Sequence, residues 1–260
     1  MIDMKHLSFS MVRRQMNFII QLTRAHLILR NEGSYLGFLW YMLGPILSFI
    51  ILFLVFQHRL GGDISLYPLY LFLGILVWDF FNTGSMMCLR CMVSSGSIIK
   101  SLPLSRDAIV ISQVFSVFVM HCVSLVVLLM ICLFFNLFSP FWFFLPILLF
   151  LEYLFVLGVG FALSVFYVYF RDLDQIWSLL LRVWWFATPI FYALTETGPG
   201  SKLNMFNPMY HMIALSRSII LYQQAPEVKS FVILSLFSCV SIMIGYVIFR
   251  KLSPHLAEYL

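Results

Sequence analysis

The sequence predicts an all-α integral membrane protein with six transmembrane helices. Three observations lead there. Of 260 residues, 62% are hydrophobic and only 10% are charged, against roughly 45–50% and about 25% in an ordinary soluble domain. Apolar runs recur at close to the ~20 residues a helix needs to cross a bilayer. Lys and Arg gather preferentially on one side of those runs. A sphere of this size cannot bury so much apolar surface, which excludes a water-soluble enzyme, a disordered tail and a secreted disulfide scaffold.

Taken in order, residues 5–30 have helical periodicity but are too polar to cross. His6, Ser10, Arg13, Asn17, Gln21 and Arg24 share one narrow face, and Met16, Ile19, Ile20, Leu22 and Leu27 fall on the remainder. A basic stripe on an apolar helix suits the plane of the membrane interface, where Arg24 and Arg30 would meet lipid head groups. A helix packed on a neighbouring element is the alternative. The first span, about 36–57, starts too late and lacks the small-residue cleavage pattern of a signal peptide. The second covers about 67–89. From Ala108 to Leu151 there is no charge for 44 residues, too long for one helix. The turn formers in Asn136-Leu-Phe-Ser-Pro140 divide the run into spans of about 108–135 and 141–170. The fifth and sixth spans cover about 173–194 and 230–249. All belong to a single transmembrane domain, 1–260.

Orientation follows from Lys and Arg near the span ends. With the N-terminus inside, Lys5, Arg13, Arg14, Arg24, Arg30, Arg90, Lys100, Arg106, Arg171, Arg250 and Lys251 lie in the cytoplasm. Arg59, Lys202, Arg217 and Lys229 fall in outer loops, and Arg182 lies within a span. Eleven against four places both termini inside. The net charge of +5 is therefore read as a topology signal and not as a nucleic-acid surface. Cys122, Cys132 and Cys239 lie in apolar runs as small hydrophobes. Cys88 and Cys91 form a lone C-x-x-C without a second pair, so no metal or redox site is expected.

No G-x-x-x-x-G-K-[ST] loop, H-E-x-x-H or G-x-S-x-G motif is present, so the chain has no such means of holding ATP or cutting a bond. Energy must come from a partner or an ion gradient. Asp79, Glu152 and Arg182 are ionisable residues within spans, and should face protein or water. Glu152 and Arg182 sit on consecutive helices at compatible depths, so an ion pair between them is the simplest expectation. His121 is read as a packed, neutral imidazole, with a proton relay as the alternative. The segment 195–229 breaks at Gly198-Pro199-Gly200. It then carries a helix-like stretch, Met209–Leu221, too short to span and suited to a re-entrant or interfacial position over the exit.

Four motifs in order resemble a known family. They are Glu32-Gly33-Ser34-Tyr35-Leu36-Gly37-Phe38-Leu39-Trp40 after a basic helix, Leu102-Pro103-Leu104-Ser105-Arg106, Tyr169-Phe170-Arg171-Asp172, and Asn207-Pro208-Met209-Tyr210. The set resembles permeases of polysaccharide-exporting ABC transporters, most of all O-antigen exporters, with teichoic-acid and capsule exporters as near relatives. The resemblance implies a homodimer bound to two copies of a separate ATPase, which carries the ATP and magnesium. It implies a lipid-linked polysaccharide as cargo and the bacterial inner membrane as location. It also makes the cytoplasmic loop 90–107 a coupling helix seated in the ATPase through Ile98, Ile99, Lys100, Leu102, Pro103 and Arg106. Asp79, after Trp78, departs from the uncharged residue of many relatives.

A sugar polymer needs a path with flat faces and hydrogen bonds but no deep minimum, and aromatic rings supply that. Trp177, Trp184, Thr188 and Phe191 fall on one stripe of the fifth span, with Trp185 beside it. These five are the expected path wall. Tyr41 joins them from the first span, where it shares a face with Gly37, Gly44 and Ser48, small enough for close helix contact. Two rival functions are a small-molecule exporter of similar topology, and a membrane transferase acting on a lipid-linked sugar with Asp79 or Glu152 as base.

Overall fold

A computed structural model describes residues 4–31, 39–60, 64–96, 105–193 and 203–258, with side chains for all of these except 4–14, 30, 31, 59, 60, 255, 257 and 258. The described residues form eight helices and no strand. They are α1 (Met4–Asn31), α2 (Leu39–Leu60), α3 (Tyr67–Ser94), α4 (Arg106–Phe134), α5 (Leu145–Tyr169), α6 (Leu173–Ala187), α7 (Pro208–Ile220) and α8 (Val228–Leu252). Among them α2, α3, α4, α5 with the short 3₁₀ turn before it, and α8 are long and apolar enough to cross a membrane. That is five helices where the sequence predicts six.

The missing span is the fifth. α6 has 15 residues, about 22 Å at 1.5 Å per residue, short of a ~30 Å hydrocarbon core. It stops because Pro189 forces the residue before it out of helical geometry; Thr188 is extended, at φ −94° and ψ 134°. The other boundaries follow local chemistry. Asn136 takes a left-handed φ of 57°, which Asn tolerates, and the Ser139 hydroxyl accepts the Phe141 N–H at 3.2 Å as Pro140 opens the turn into α5. Asn207 caps α7 by accepting the Met209 N–H at 3.1 Å, with Pro208 in the first turn.

α3 is the spine. Its residues from Tyr70 to Trp78 are all buried, and it packs on α4, α5, α2, α7 and α6. The most extensive contact joins α5 to α8, through small residues. The Ser238 and Ser241 hydroxyls of α8 donate to the Leu151 and Phe155 carbonyls of α5 at 2.9 and 3.1 Å, and Gly245 lies against the Gly158 backbone. α1 does not stand alone. It packs along α4, where the buried Thr23 hydroxyl donates to the Ile19 and Ser112 carbonyls at 2.8 and 3.5 Å. Burial pushes the His26 imidazole below its usual range, against a hydrogen bond to the Ser112 backbone.

One end of the bundle gathers Arg90, Arg106, Arg171 and Arg250 and is called here the basic end. There Arg106 Nη1 donates to the Ser253 carbonyl and the Tyr169 hydroxyl to the Leu252 carbonyl, closing α4 and α5 onto the end of α8. The opposite end carries α7 and the start of α3.

Candidate functional site: a cavity between α2, α3 and α6

Between α2, α3 and α6 lies a cavity of about 730 Å³. Gly44, Pro45, Ser48, Ile51 and Leu52 line it from α2, Ile75, Trp78, Asp79, Asn82 and Met86 from α3, and Ser178, Leu181, Arg182, Trp185 and Phe186 from α6. Gly44, Ser48, Arg182 and Phe186 are exposed, so the cavity opens along the free edges of α2 and α6. Its wall mixes indole faces with hydroxyls, an amide, one carboxylate and one guanidinium. Asp79 is half-buried and accepts the Thr83 hydroxyl at 3.4 Å. Arg182 faces it from the other wall.

The stripe predicted as the path wall divides. Trp185 lines the cavity. Trp177 and Trp184 turn inward and hold α6 against its neighbours: Trp177 Nε1 donates to Ser85 Oγ at 3.1 Å, and Trp184 Nε1 donates to Asn207 Oδ1 at 2.9 Å. Thr188 is fully buried; its hydroxyl donates to the Trp184 carbonyl at 2.9 Å and accepts from Asn207 Nδ2 at 3.0 Å. Phe191 stacks on Trp185 and on Phe56, at 5.9 and 5.0 Å between centroids. Tyr41 lies outside the cavity. It helps to line a small adjoining pocket, shared with Asp79, Thr83, His121 and Ser124.

The expected Glu152–Arg182 ion pair is absent. Glu152, buried on α5, faces His121 of α4, with carboxylate and Nε2 3.4 Å apart, whereas Arg182 is exposed on α6. The His121 ring also stacks on Phe80 at 4.8 Å. Asp79 and Arg182 are therefore brought to one cavity, and Glu152 is not. Arg217, assigned to an outer loop, is buried at 4% exposure on α7. Arg24 is exposed on α1, while the side chain of Arg30 lies outside the described residues, as do Ile98, Ile99, Lys100, Leu102 and Pro103. Among the described residues no three His, Cys, Asp or Glu side chains converge where a metal ion would sit.

Sequence reasoning missed Trp78, Asn82, Ser178 and Phe186 in the cavity wall, and Ser85 and Asn207 behind it. Trp78 sets the wall's shape, edge-on to Trp184 and Trp185 at 6.2 and 6.3 Å. The signal was available for Asn82: it lies three residues after Asp79, on the same helix face. α6 is held at its basic end by a bidentate pair, with Arg90 Nε and Nη2 donating to the Asp174 carboxylate at 2.7 and 2.8 Å. Three polar ties thus run down one face of α6, and the cavity occupies the other.

Residues 17–221 match the family described as ABC2_membrane, ABC-2 type transporter. The chain is 26% identical over 245 residues to the O-antigen export system permease protein RfbA of Myxococcus xanthus, covering 92% of this chain and 94% of that protein. It is 26% identical to the protein of that name from Klebsiella pneumoniae, covering 94% and 95%. To the polysialic acid transport protein KpsM of Escherichia coli it is 23% identical, covering 83% and 85%.

Proposed function

Because this chain belongs to the ABC-2 type transporter family, we propose that it is the membrane permease subunit of an ABC exporter. Its cargo is a lipid-linked polysaccharide of O-antigen type, and its location is the bacterial inner membrane. The observation that carries this is the open cavity: indole faces of Trp78 and Trp185, the hydrogen-bonding groups of Ser48, Asn82 and Ser178, and the Asp79 and Arg182 charges. Such a wall offers a hydroxyl-rich chain many weak contacts and no single deep one. The similarity to export permeases named for O-antigen and polysialic acid supports the cargo class.

The chain works as a homodimer, the open edges of α2 and α6 meeting their copies so that two cavities make one path. The basic end faces the cytoplasm, with both termini there. Two copies of a separate ATPase dock on the loop that follows α3, and Arg106 anchors the far end of that loop to the tail of α8. Closure of the ATPases around ATP and magnesium pulls the basic end of α3, and the Arg90–Asp174 bond passes the pull to α6. α1 lies at the inner interface, where Arg24 and Arg30 meet lipid phosphates. The chain makes and breaks no bond itself.

The test is reconstitution in liposomes with a candidate ABC ATPase from the same genome, using a fluorescent lipid-linked oligosaccharide. The expected result is ATP-dependent delivery that needs both subunits and falls with Trp185→Ala or Arg182→Ala. Delivery by the chain alone, or turnover of the lipid-linked sugar, would overturn the reading.

A further inference from the structure

Beyond Ala187 the chain leaves helical geometry inside the bundle, with Thr188 and Ile190 fully buried, where backbone carbonyls need donors from the protein. Four successive carbonyls have one, all from side chains. Arg217 Nη1 donates to the Pro189 carbonyl at 2.9 Å and Arg217 Nη2 to the Ile190 carbonyl at 2.7 Å. The Tyr67 hydroxyl donates to the Phe191 carbonyl at 3.1 Å and the Tyr70 hydroxyl to the Tyr192 carbonyl at 2.9 Å. The same guanidinium reaches back to α3, with Nε and Nη2 at 3.3 and 3.1 Å from the Tyr70 carbonyl. Its carbon lies 3.3 Å from the centroid of the Tyr70 ring. One side chain on α7 therefore ties the start of α3 to the unwound stretch 188–192.

The fork is specific to arginine, since a planar guanidinium serves several fixed acceptors at once and an ammonium does not. Gly74 leaves room for it: a Cβ there would lie 2.7 Å from Arg217 Nη2 and 3.1 Å from the Ile190 carbonyl oxygen. Among the described residues no carboxylate pairs with Arg217. Every acceptor in the arrangement is a carbonyl, so water or the hydroxyls of a passing chain can replace the donors one at a time. The consequence falls on Phe191. Held by its own carbonyl, it stacks between Phe56 of α2 and Trp185 of α6, one helical turn beyond Leu52 of the cavity wall.

We propose that Arg217 is a positioning residue, the pin of a latch completed by Tyr67 and Tyr70. The latch holds 188–192 out of helix and sets Phe191 as the stop that closes the cavity toward the opposite end. The sealing role rests on the transport reading above; the latch does not. Two measurements on the full chain with its ATPase in lipid bilayers test it. In hydrogen exchange, Arg217→Lys and Arg217→Met should speed exchange of the hydrogen-bonded Thr188 and Ile190 amides about tenfold or more, with α5 and α8 as protected as before. Unchanged exchange at Thr188 and Ile190, or an equal rise everywhere, would overturn the latch. In liposomes without ATP, Phe191→Ala and Arg217→Lys should both release a trapped small dye faster than wild type. Tight vesicles from both variants would overturn the stop. Wild-type vesicles that export no glycan, together with local exchange in the variants, would count against the exporter and leave the latch standing.

Discussion

Replacing Gly245 with alanine tests the seam on which the bundle depends. A methyl at Gly245 would overlap the carbonyl oxygen of Gly158, lying 2.7 Å from its carbonyl carbon and 3.1 Å from its Cα. These are backbone atoms and cannot rotate away. α5 and α8 must separate at the crossing by about 1 Å to restore ordinary contact, and forcing that in a packed interior costs about 1–3 kcal/mol. The Ser238–Leu151 and Ser241–Phe155 hydrogen bonds, now 2.9 and 3.1 Å, would stretch to about 4 Å, beyond useful length. Each such interhelical bond contributes about 0.6 and at most about 1.7 kcal/mol. The sum is about 2–6 kcal/mol. Unfolding in mixed micelles, followed by circular dichroism as denaturing detergent is added, reads it directly. Gly44→Ala is the control, because nothing lies within 4 Å of a Cβ there; it should leave stability unchanged or raise it by up to about 1 kcal/mol. A Gly245→Ala protein within about 0.5 kcal/mol of wild type, or a Gly44→Ala protein equally weakened, refutes the close-contact argument.

Three further predictions concern polar groups. Asp174→Asn should cut ATP-driven export several-fold while changing stability by less than about 1 kcal/mol, because Arg90 and Asp174 are too exposed for their bond to hold the fold; exchanging the two charges, Arg90→Asp with Asp174→Arg, should restore export. His121→Leu should leave the buried Glu152 side chain without the polar group it faces and cost about 1–3 kcal/mol, and adding Glu152→Leu should recover most of it, a pattern read by the same unfolding assay. Trp185→Ala should lower export and, by removing a ring packed on Trp78 and Phe191, stability as well, whereas Trp177→Phe, which forfeits the hydrogen bond to Ser85, should lower stability by about 0.6–1.7 kcal/mol and spare export.

Much of this architecture is legible in the apolar runs. Length and hydropathy pick out α2, α3, α4, α5 and α8 as helices long and apolar enough to cross, because a bilayer demands about twenty apolar positions wherever a helix crosses. The end of α6 is not legible that way. Ile190, Phe191, Tyr192 and Leu194 keep the run apolar past the point where the helix stops, and only Pro189 marks the break. Helical periodicity does place Trp177, Trp184 and Thr188 on one face. It is silent on what that face meets, and the partners, Ser85 and Asn207, are remote in sequence. The supposed Glu152–Arg182 pair fails for a related reason. Neighbouring helices in sequence are natural candidates for pairing, but α5 turns Glu152 toward α4, where His121 waits. In the sequence Arg217 looks like a loop charge, because a short apolar stretch outside the spans carries no sign of how deeply it packs.

The two faces of α6 explain why Arg182, its one positive charge, matters. One face is locked by Asp174, Trp177 and Trp184 to α3 and α7. The other presents Ile176, Leu179, Val183 and Phe186 together with Arg182, all exposed. Were that face turned to lipid, Arg182 would cost about 2.5–3.5 kcal/mol at mid-depth, and the sequence would have no reason to keep it beside an open cavity. α2, on the other wall, packs on α3 along one face and leaves about half of its residues exposed, whereas α3 is sheathed on nearly every side. Segments with few buried contacts are the ones that move. On the exporter reading proposed above, a buried spine flanked by two walls with open outer faces, one bearing a guanidinium that needs water or protein, is half of a passage. The cheapest completion is a second copy, which covers the apolar residues of α2 and α6 and leaves Arg182 in the water between them.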